Sequence, residues 1–236
     1  MKISINLIAT NKYMYFLEDV ANSIDKFFFR DCEITVIVHT NLDIPETFSK
    51  YTRIKFVKNP IVHEEWPAPT LKRFSYFMSA KDFIESTDYS FYIDVDSIFI
   101  KDIDKTILPE EGMIGTIHPC LYNTTGTPDR NRESKAYIPH GSFNRYFCGG
   151  FFGGDSKSFL QFSDTLRNNI EIDLSKNIVA IWHDESHLNR FFYDTPPLVT
   201  LEYPFAVAET LQTPSKNSSI LFLDKRKIGG SAFFRT

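Results

Sequence analysis

The octapeptide EITVIVHT, residues 33–40, constrains the fold more than any other stretch, because β-branched residues fill it with almost no polar alternation. A strand of that kind must be covered on both faces, as in a parallel sheet flanked by helices. KISINLIA (2–9) reads as a preceding strand and TRIKFVKN (52–59) as a weaker following one, while apolar residues at Tyr13, Phe16, Leu17, Val20 and Ile24 predict a helix over 11–28. The alternation then continues with a predicted helix over 70–86 and a strand over 89–100. This β-α-β-β-α-β order predicts an α/β fold, an open sheet with helices on its faces. A length of 236 residues, 42% of them hydrophobic, suits one globular domain spanning 1–236.

The second half is less regular. GMIGTIHP (112–119) and YFCGGFFGG (146–154) read as strands, with a polar loop of 123–144 between them, and helices are predicted over 156–174 and 185–194. A loop that long inside a compact domain is usually functional or mobile.

Charge and composition exclude several classes of function. A net charge of −4, with Lys and Arg scattered singly, supplies no field for nucleic acid, so a small-molecule partner is expected. Three cysteines, Cys32, Cys120 and Cys148, cannot all pair within the chain and form no CxxC pattern, which fits a reducing compartment. The start MKISINLIAT lacks the features of a signal peptide, and no run reaches the roughly 18 apolar residues of a membrane span. A cytoplasmic protein without a membrane anchor is expected.

Three stretches carry candidate chemistry. In FYIDVDSIFI (91–100), Asp94 and Asp96 flank Val95 inside an apolar run. On an extended strand both carboxylates would face one side, roughly 6–7 Å apart, where two hard oxygen donors could share Mg²⁺ or Mn²⁺ with substrate phosphates. The alternative is a solvated turn between two strand pieces. In WHDESHLN (182–189), His183 and His187 stand four apart, but Asp184 rather than a Glu follows the first His, so the zinc-protease pattern fails. The same stretch reads as a helix start, with Asp184 as its cap and Glu185 in its first turn. CGGFFGG (148–154) lacks the spacing of a phosphate loop and instead suggests a strand against which something bulky lies close to the backbone.

Together these stretches resemble glycosyltransferase family 6, the retaining α-1,3-galactosyl- and N-acetylgalactosaminyltransferases. WHDESHLN, AYIP (136–139), GGFFGG (149–154), GTIHP (115–119) and YIDVDSIF (92–99) occur in the family's order and at about its spacing. The resemblance implies a GT-A fold, with a Rossmann-like half (1–100) for the UDP-sugar and a half (101–236) for acceptor and catalysis. It implies that Asp94 and Asp96 hold a divalent cation, usually Mn²⁺, with Mg²⁺ or Co²⁺ as alternatives. Many bacterial relatives have Asn at both positions and need no metal; the carboxylates here predict metal dependence. Glu185 matches the catalytic carboxylate, as nucleophile or as electrostatic support for front-face attack. Asp184, with His183 beside it, and Arg73 match residues that touch the donor sugar. Ile8, Ala9 and Tyr13 match uridine contacts, Val95 lies within the metal motif, and His118 and Trp182 match acceptor contacts.

Residues matching Cys148, Gly149 and Gly150 line the donor in the family, and a small residue at Gly150 implies room for an N-acetyl group. Glu202 and Tyr203 are kept, but the Trp-Asp that follows in mammalian members is not. Lys225, Arg226, Lys227 and Arg235 offer basic groups for the diphosphate. The expected function is transfer of galactose or N-acetylgalactosamine from a UDP-sugar to a galactoside. The alternatives are a glycoside hydrolase, a sugar-binding module and a UDP-sugar hydrolase.

Overall fold

A computed structural model describes residues 1–141 and 145–234. Ten strands occur among them: β1 (Lys2–Ile8), β2 (Glu33–Thr40), β3 (Ile54–Pro60), β4 (Tyr89–Ile93), β5 (Ser97–Phe99), β6 (Met113–Ile117), β7 (Phe147–Asp155), β8 (Val199–Leu201), β9 (Ala206–Ala208) and β10 (Ile220–Phe222). The helices are α1 (Leu17–Phe27), α2 (Ala68–Leu71), α3 (Arg73–Ser79), α4 (Lys81–Glu85), α5 (Ser156–Ser175), α6 (His183–Asp194) and α7 (Gly230–Phe234).

Seven strands form one mixed sheet in the order β3-β2-β1-β4-β7-β6-β8. β1 to β4 are mutually parallel, β7 runs against β4 and β6, and β8 is parallel to β6. The run EITVIVHT occupies β2, paired on both edges and buried over most of its length, as its composition demanded. Two phenylalanine-rich cores cover the sheet. One packs α1 over β1 and β2 through Phe16, Val20, Ile24 and Phe28; the other packs α3, α5 and α6 through Phe74, Phe77, Phe152, Phe159 and Phe162. Truncating a fully buried ring such as Phe152 to alanine would cost about 3–5 kcal/mol. The glycines of β7 admit these rings. A Cβ at Gly153 would stand 2.3 Å from the Phe91 ring, so the bulky group predicted against this strand is partly the protein's own.

Four expectations change. The helix predicted from residue 11 begins as a 3₁₀ turn, Asn11–Phe16, and becomes α-helical only at Leu17; apolar Tyr13 and Phe16, three apart, suit a three-residue turn. The helix predicted over 70–86 is interrupted at Lys72 and Ala80, and its re-aimed pieces bury Arg73, Phe74, Phe77 and Ile84 together. The strand predicted over 89–100 is two strands in different sheets. β5 leaves the main sheet and pairs with β10, which pairs in turn with β9. The loop of 123–144 is irregular but fastened across its described part. Buried Asp129 accepts the backbone N–H of Asn131 (2.8 Å) and Ile181 (2.9 Å), and Asp173 on α5 accepts the Ser134 hydroxyl (2.6 Å) and the Lys135 N–H (2.8 Å). Two buried carboxylates thus replace the missing secondary structure.

Candidate active site

Strand direction gathers the site. The carboxyl ends of β1, β4, β6 and β8 and the amino end of β7 share one edge of the sheet. Ligands of open α/β sheets collect at such an edge. Ile8 and Ala9, Asp94, His118 and the run Cys148-Gly149-Gly150 all fall there. These residues were singled out from distant parts of the chain, and topology alone brings them into one row.

Asp94, Val95 and Asp96 occupy the break between β4 and β5. The extended-strand geometry expected for the two carboxylates is therefore corrected to a turn, yet both still line a single cleft with Ile8, Tyr13 and Arg73. The turn is held on both sides: Asp94 N–H donates to the Gly150 carbonyl (2.9 Å), and Leu223 N–H donates to the Asp96 carbonyl (2.9 Å). Tyr92, two residues before Asp94, donates its hydroxyl to Asp94 Oδ1 at 2.5 Å. Each carboxylate also has a cation. Arg73 Nη2 lies 3.4 Å from Asp94, and Lys225 Nζ lies 2.5 Å from Asp96. Burial, with Asp94 adding like charge, raises the Asp96 pKa even against the pull of Lys225.

The second acidic pair starts α6. Its cap position is Trp182, so the expectation that Asp184 caps the helix is corrected; Asp184 lies one residue inside the helix, turned toward Arg73. His183 has a left-handed φ of 49°, which costs a residue with a side chain ~1–2 kcal/mol. That turn delivers the two carboxylates. Asp184 meets Arg73 Nη1 at 2.9 Å with both side chains buried, and Glu185 Oε2 accepts the Gly149 N–H at 2.8 Å. Asn189 fixes the helix to the strand by pairing with both the N–H and the carbonyl of Phe147, each at 2.8 Å. Arg73 also donates to the Gly149 carbonyl (2.5 Å), so one guanidinium links β7 to both acidic stretches.

Burial pushes Asp184 up to about 6, opposed by Arg73, and pushes Glu185 up to about 7, opposed by the Gly149 N–H and the Tyr146 hydroxyl. Arg73, drawn by Asp184 and Asp94, has its pKa raised despite its own burial. The cluster can therefore hold positive charge beside Asp94 and Asp96 and keep a carboxylate near neutrality at Gly149.

The other predicted residues are not equivalent. Ile8 and Val95 reach the cleft, whereas the Ala9 side chain is fully buried in the core. Tyr13 is in the cleft wall, its ring 5.3 Å from Phe234 and 5.4 Å from Lys225 Nζ. Cys148 is buried, and its thiol is pushed up to about 12 by burial. At Gly150 a Cβ would stand 2.6 Å from the Phe222 ring and 3.1 Å from Asp94 Oδ2, so the missing side chain lets Phe222 pack against β7. His118 Nδ1 accepts the Cys120 N–H (3.1 Å), and burial lowers its pKa to about 4. The neutral ring then carries its proton on Nε2. Trp182 is half exposed, with its indole N–H on Thr127 (2.5 Å), and His183 lies edge-on to Trp66. His187 points instead to buried Asp173, 3.6 Å away, far from a shared role with His183. Arg226 pairs with Asp224 and Lys227 with Glu209, while Arg235 lies outside the described residues.

Tyr92, Tyr146 and Asn189 were not singled out from the sequence. Tyr92 could have been found, since the residue two before Asp94 on a strand shares its face. Nothing in the sequence pairs Tyr146 with Glu185.

An open mixed sheet with a carboxylate-lined cleft at its carboxyl edge defines a GT-A-like glycosyltransferase fold. A family model described as Glycosyltransferase family 6 matches residues 1–228, and the chain belongs to that family. It is 29% identical over 233 residues to the O-antigen biosynthesis glycosyltransferase WbnI of Escherichia coli, covering 96% of each chain. It is 29% identical to the histo-blood group ABO system transferase 1 of Rattus norvegicus over 84% of this chain and 58% of the rat protein. With the human globoside alpha-1,3-N-acetylgalactosaminyltransferase 1 the identity is 25%, over 95% of this chain and 67% of the other. The chain thus spans under two thirds of the rat relative. Among the described residues no helix is long and apolar enough to cross a membrane.

Proposed function

We propose that this glycosyltransferase moves galactose or N-acetylgalactosamine from a UDP-sugar to a galactoside, forming an α-1,3 bond with retention and requiring a divalent cation, Mn²⁺ foremost. The observation that carries this reading is the Arg73 bridge, which ties Asp94 of the cleft to Asp184, next to Glu185. Residues up to about 100 serve the nucleotide-sugar, and the remainder serve the acceptor and the catalytic carboxylate, within one domain. The human globoside relative, an alpha-1,3-N-acetylgalactosaminyltransferase by name, supports the linkage and one of the two donors.

Asp94 and Asp96 fit a hard cation: they are paired oxygen donors at a cleft, and one of them already draws a lysine ammonium to 2.5 Å. Such a cation, once bound, neutralises charge on the departing diphosphate. Arg73 and Asp184 orient the donor sugar from beside the cleft. Glu185, held by Gly149 N–H, presents its carboxylate to the sugar's reacting carbon and steadies the positive charge that develops there. His118, donating through Nε2, and Trp182 receive the acceptor. Tyr13 stacks on uracil, and Lys225 shifts from Asp96 to the diphosphate.

The test is UDP release from UDP-galactose and UDP-N-acetylgalactosamine, with Mn²⁺ or EDTA, with and without galactosides. Metal-dependent release stimulated by galactoside is expected. Release that ignores EDTA would overturn the metal assignment, and Glu185→Gln retaining full activity would remove the role of Glu185; a drop on the order of 10²–10³ is expected.

A further inference from the structure

The connection from α5 to α6 carries more apolar surface than a solvated turn needs. Among the described residues fifteen large apolar side chains are exposed, and five of them fall within 172–182. Val179 and Ile181 are 51% and 57% exposed on either side of Ala180, which is 3% exposed and anchors the stretch in the core. The backbone holds them in place. Asn177 turns through a left-handed φ of 58°, and the Lys176 and Ile178 N–H groups both donate to the Asp173 carbonyl (2.9 Å each). The Ile181 N–H donates to the buried Asp129 carboxylate (2.9 Å). The apolar side chains are thus presented on a fixed turn, and apolar exposure concentrated in this way marks an interaction surface.

The charge beside this surface indicates what covers it. Arg132, Lys135 and Lys176 line one open concavity, with Glu133 as the acidic residue among them. Asp173 joins the two features: its carboxylate accepts the Ser134 hydroxyl and the Lys135 N–H, while its carbonyl holds Lys176 and Ile178. Glu171, the exposed acid at this end of α5, lies 3.8 Å from Arg167. In a chain of net charge −4, three basic side chains gathered beside exposed aliphatic ones match a bilayer with anionic headgroups. Lipid phosphates meet the ammonium and guanidinium groups, and the aliphatic side chains enter the acyl boundary. A second copy fits less well, because a two-fold contact would set these basic groups against their equivalents. Half-exposed Trp182 closes the run three residues before Glu185, so docking would hold the start of α6 at the lipid surface.

We propose that the connection over 174–182 and the basic concavity beside it dock the protein reversibly on an anionic bilayer. Vesicle flotation tests this without any sugar nucleotide, so its outcome is separate from that of the transfer reaction. The protein should float with vesicles of phosphatidylcholine carrying about one third phosphatidylglycerol and stay behind with phosphatidylcholine alone, and about 0.5 M salt should weaken the binding. Val179→Ser with Ile181→Ser should bind the anionic vesicles on the order of tenfold more weakly, and Lys135→Gln with Lys176→Gln roughly thirtyfold more weakly. The two pairs are exposed and differ in chemistry, so if one variant fails to fold by circular dichroism the other still decides. No flotation of the wild type, equal flotation with both lipids, or variants that bind as the wild type does would each overturn the docking surface. A dimer in light scattering that Val179→Ser with Ile181→Ser dissolves would overturn it in favour of a second copy.

Discussion

The two acidic stretches of the site differ in how their charge is compensated. Asp94 and Asp96 sit in a turn, each within reach of a cation, Arg73 for one and Lys225 for the other. Asp184 and Glu185 sit at a helix start, where Arg73 pairs directly with Asp184 and acts on Glu185 without an ion pair among the described residues, and Glu185 is held by the Gly149 N–H and the Tyr146 hydroxyl. The first pair is thus arranged to exchange one cation for another. The second is arranged to keep one carboxylate poorly neutralised and its pKa near neutrality, the condition under which it does most for developing positive charge.

Removing the shared arginine breaks both pairs at once and should have the largest effect. Arg73→Ala leaves Asp184 buried without its partner, costing about 3–5 kcal/mol of stability. Thermal unfolding should fall by roughly 10 °C, and a shift below about 3 °C would mean that the bridge contributes little. Breaking only the first pair comes next. Asp94→Asn with Asp96→Asn should abolish Mn²⁺ binding seen by electron paramagnetic resonance and lower UDP release on the order of 10³, with the fold intact by circular dichroism.

A smaller change sharpens the contrast through pH. Burial favours protonated Glu185, so the folded protein holds that proton more tightly than the unfolded chain. Its stabilising effect is complete below about 4.5 and lost as pH rises through about 7, while activity that needs the carboxylate falls as pH drops through about 7. Tyr146→Phe removes a hydrogen bond to the charged form and should move that acid limb up by about one unit. An unmoved limb would place the titration elsewhere. Lys225→Ala should have the smallest effect. It frees Asp96 of its ammonium partner, so Mn²⁺ without nucleotide should bind up to about fivefold tighter, and weaker binding would mean that the lysine does not compete for that site.

Much of the fold was legible because it rests on local pattern. EITVIVHT announced a doubly covered strand, and the alternation of strand and helix up to residue 93 announced the parallel half of the sheet. The break after Ile93 was not legible, since YIDVDSIFI keeps a strand-like composition while Ser97–Phe99 pairs instead with a segment near the far end of the chain. Arg73 was matched to a donor contact, but its bridging place depended on a kinked helix and on two carboxylates remote in sequence. The surroundings of Gly150 were not legible for a similar reason: the space its missing side chain leaves is occupied by Phe222, from the second sheet.

By itself the sequence determined which carboxylates, glycines and aromatic residues are available, and that β2 must lie inside a parallel sheet, because composition and periodicity act over a few residues. Only the tertiary structure decided which carboxylates are compensated and which are not. Charge compensation depends on burial and on partners from other strands, such as Arg73, Lys225 and the Gly149 N–H, and these meet only at the shared edge of the folded sheet.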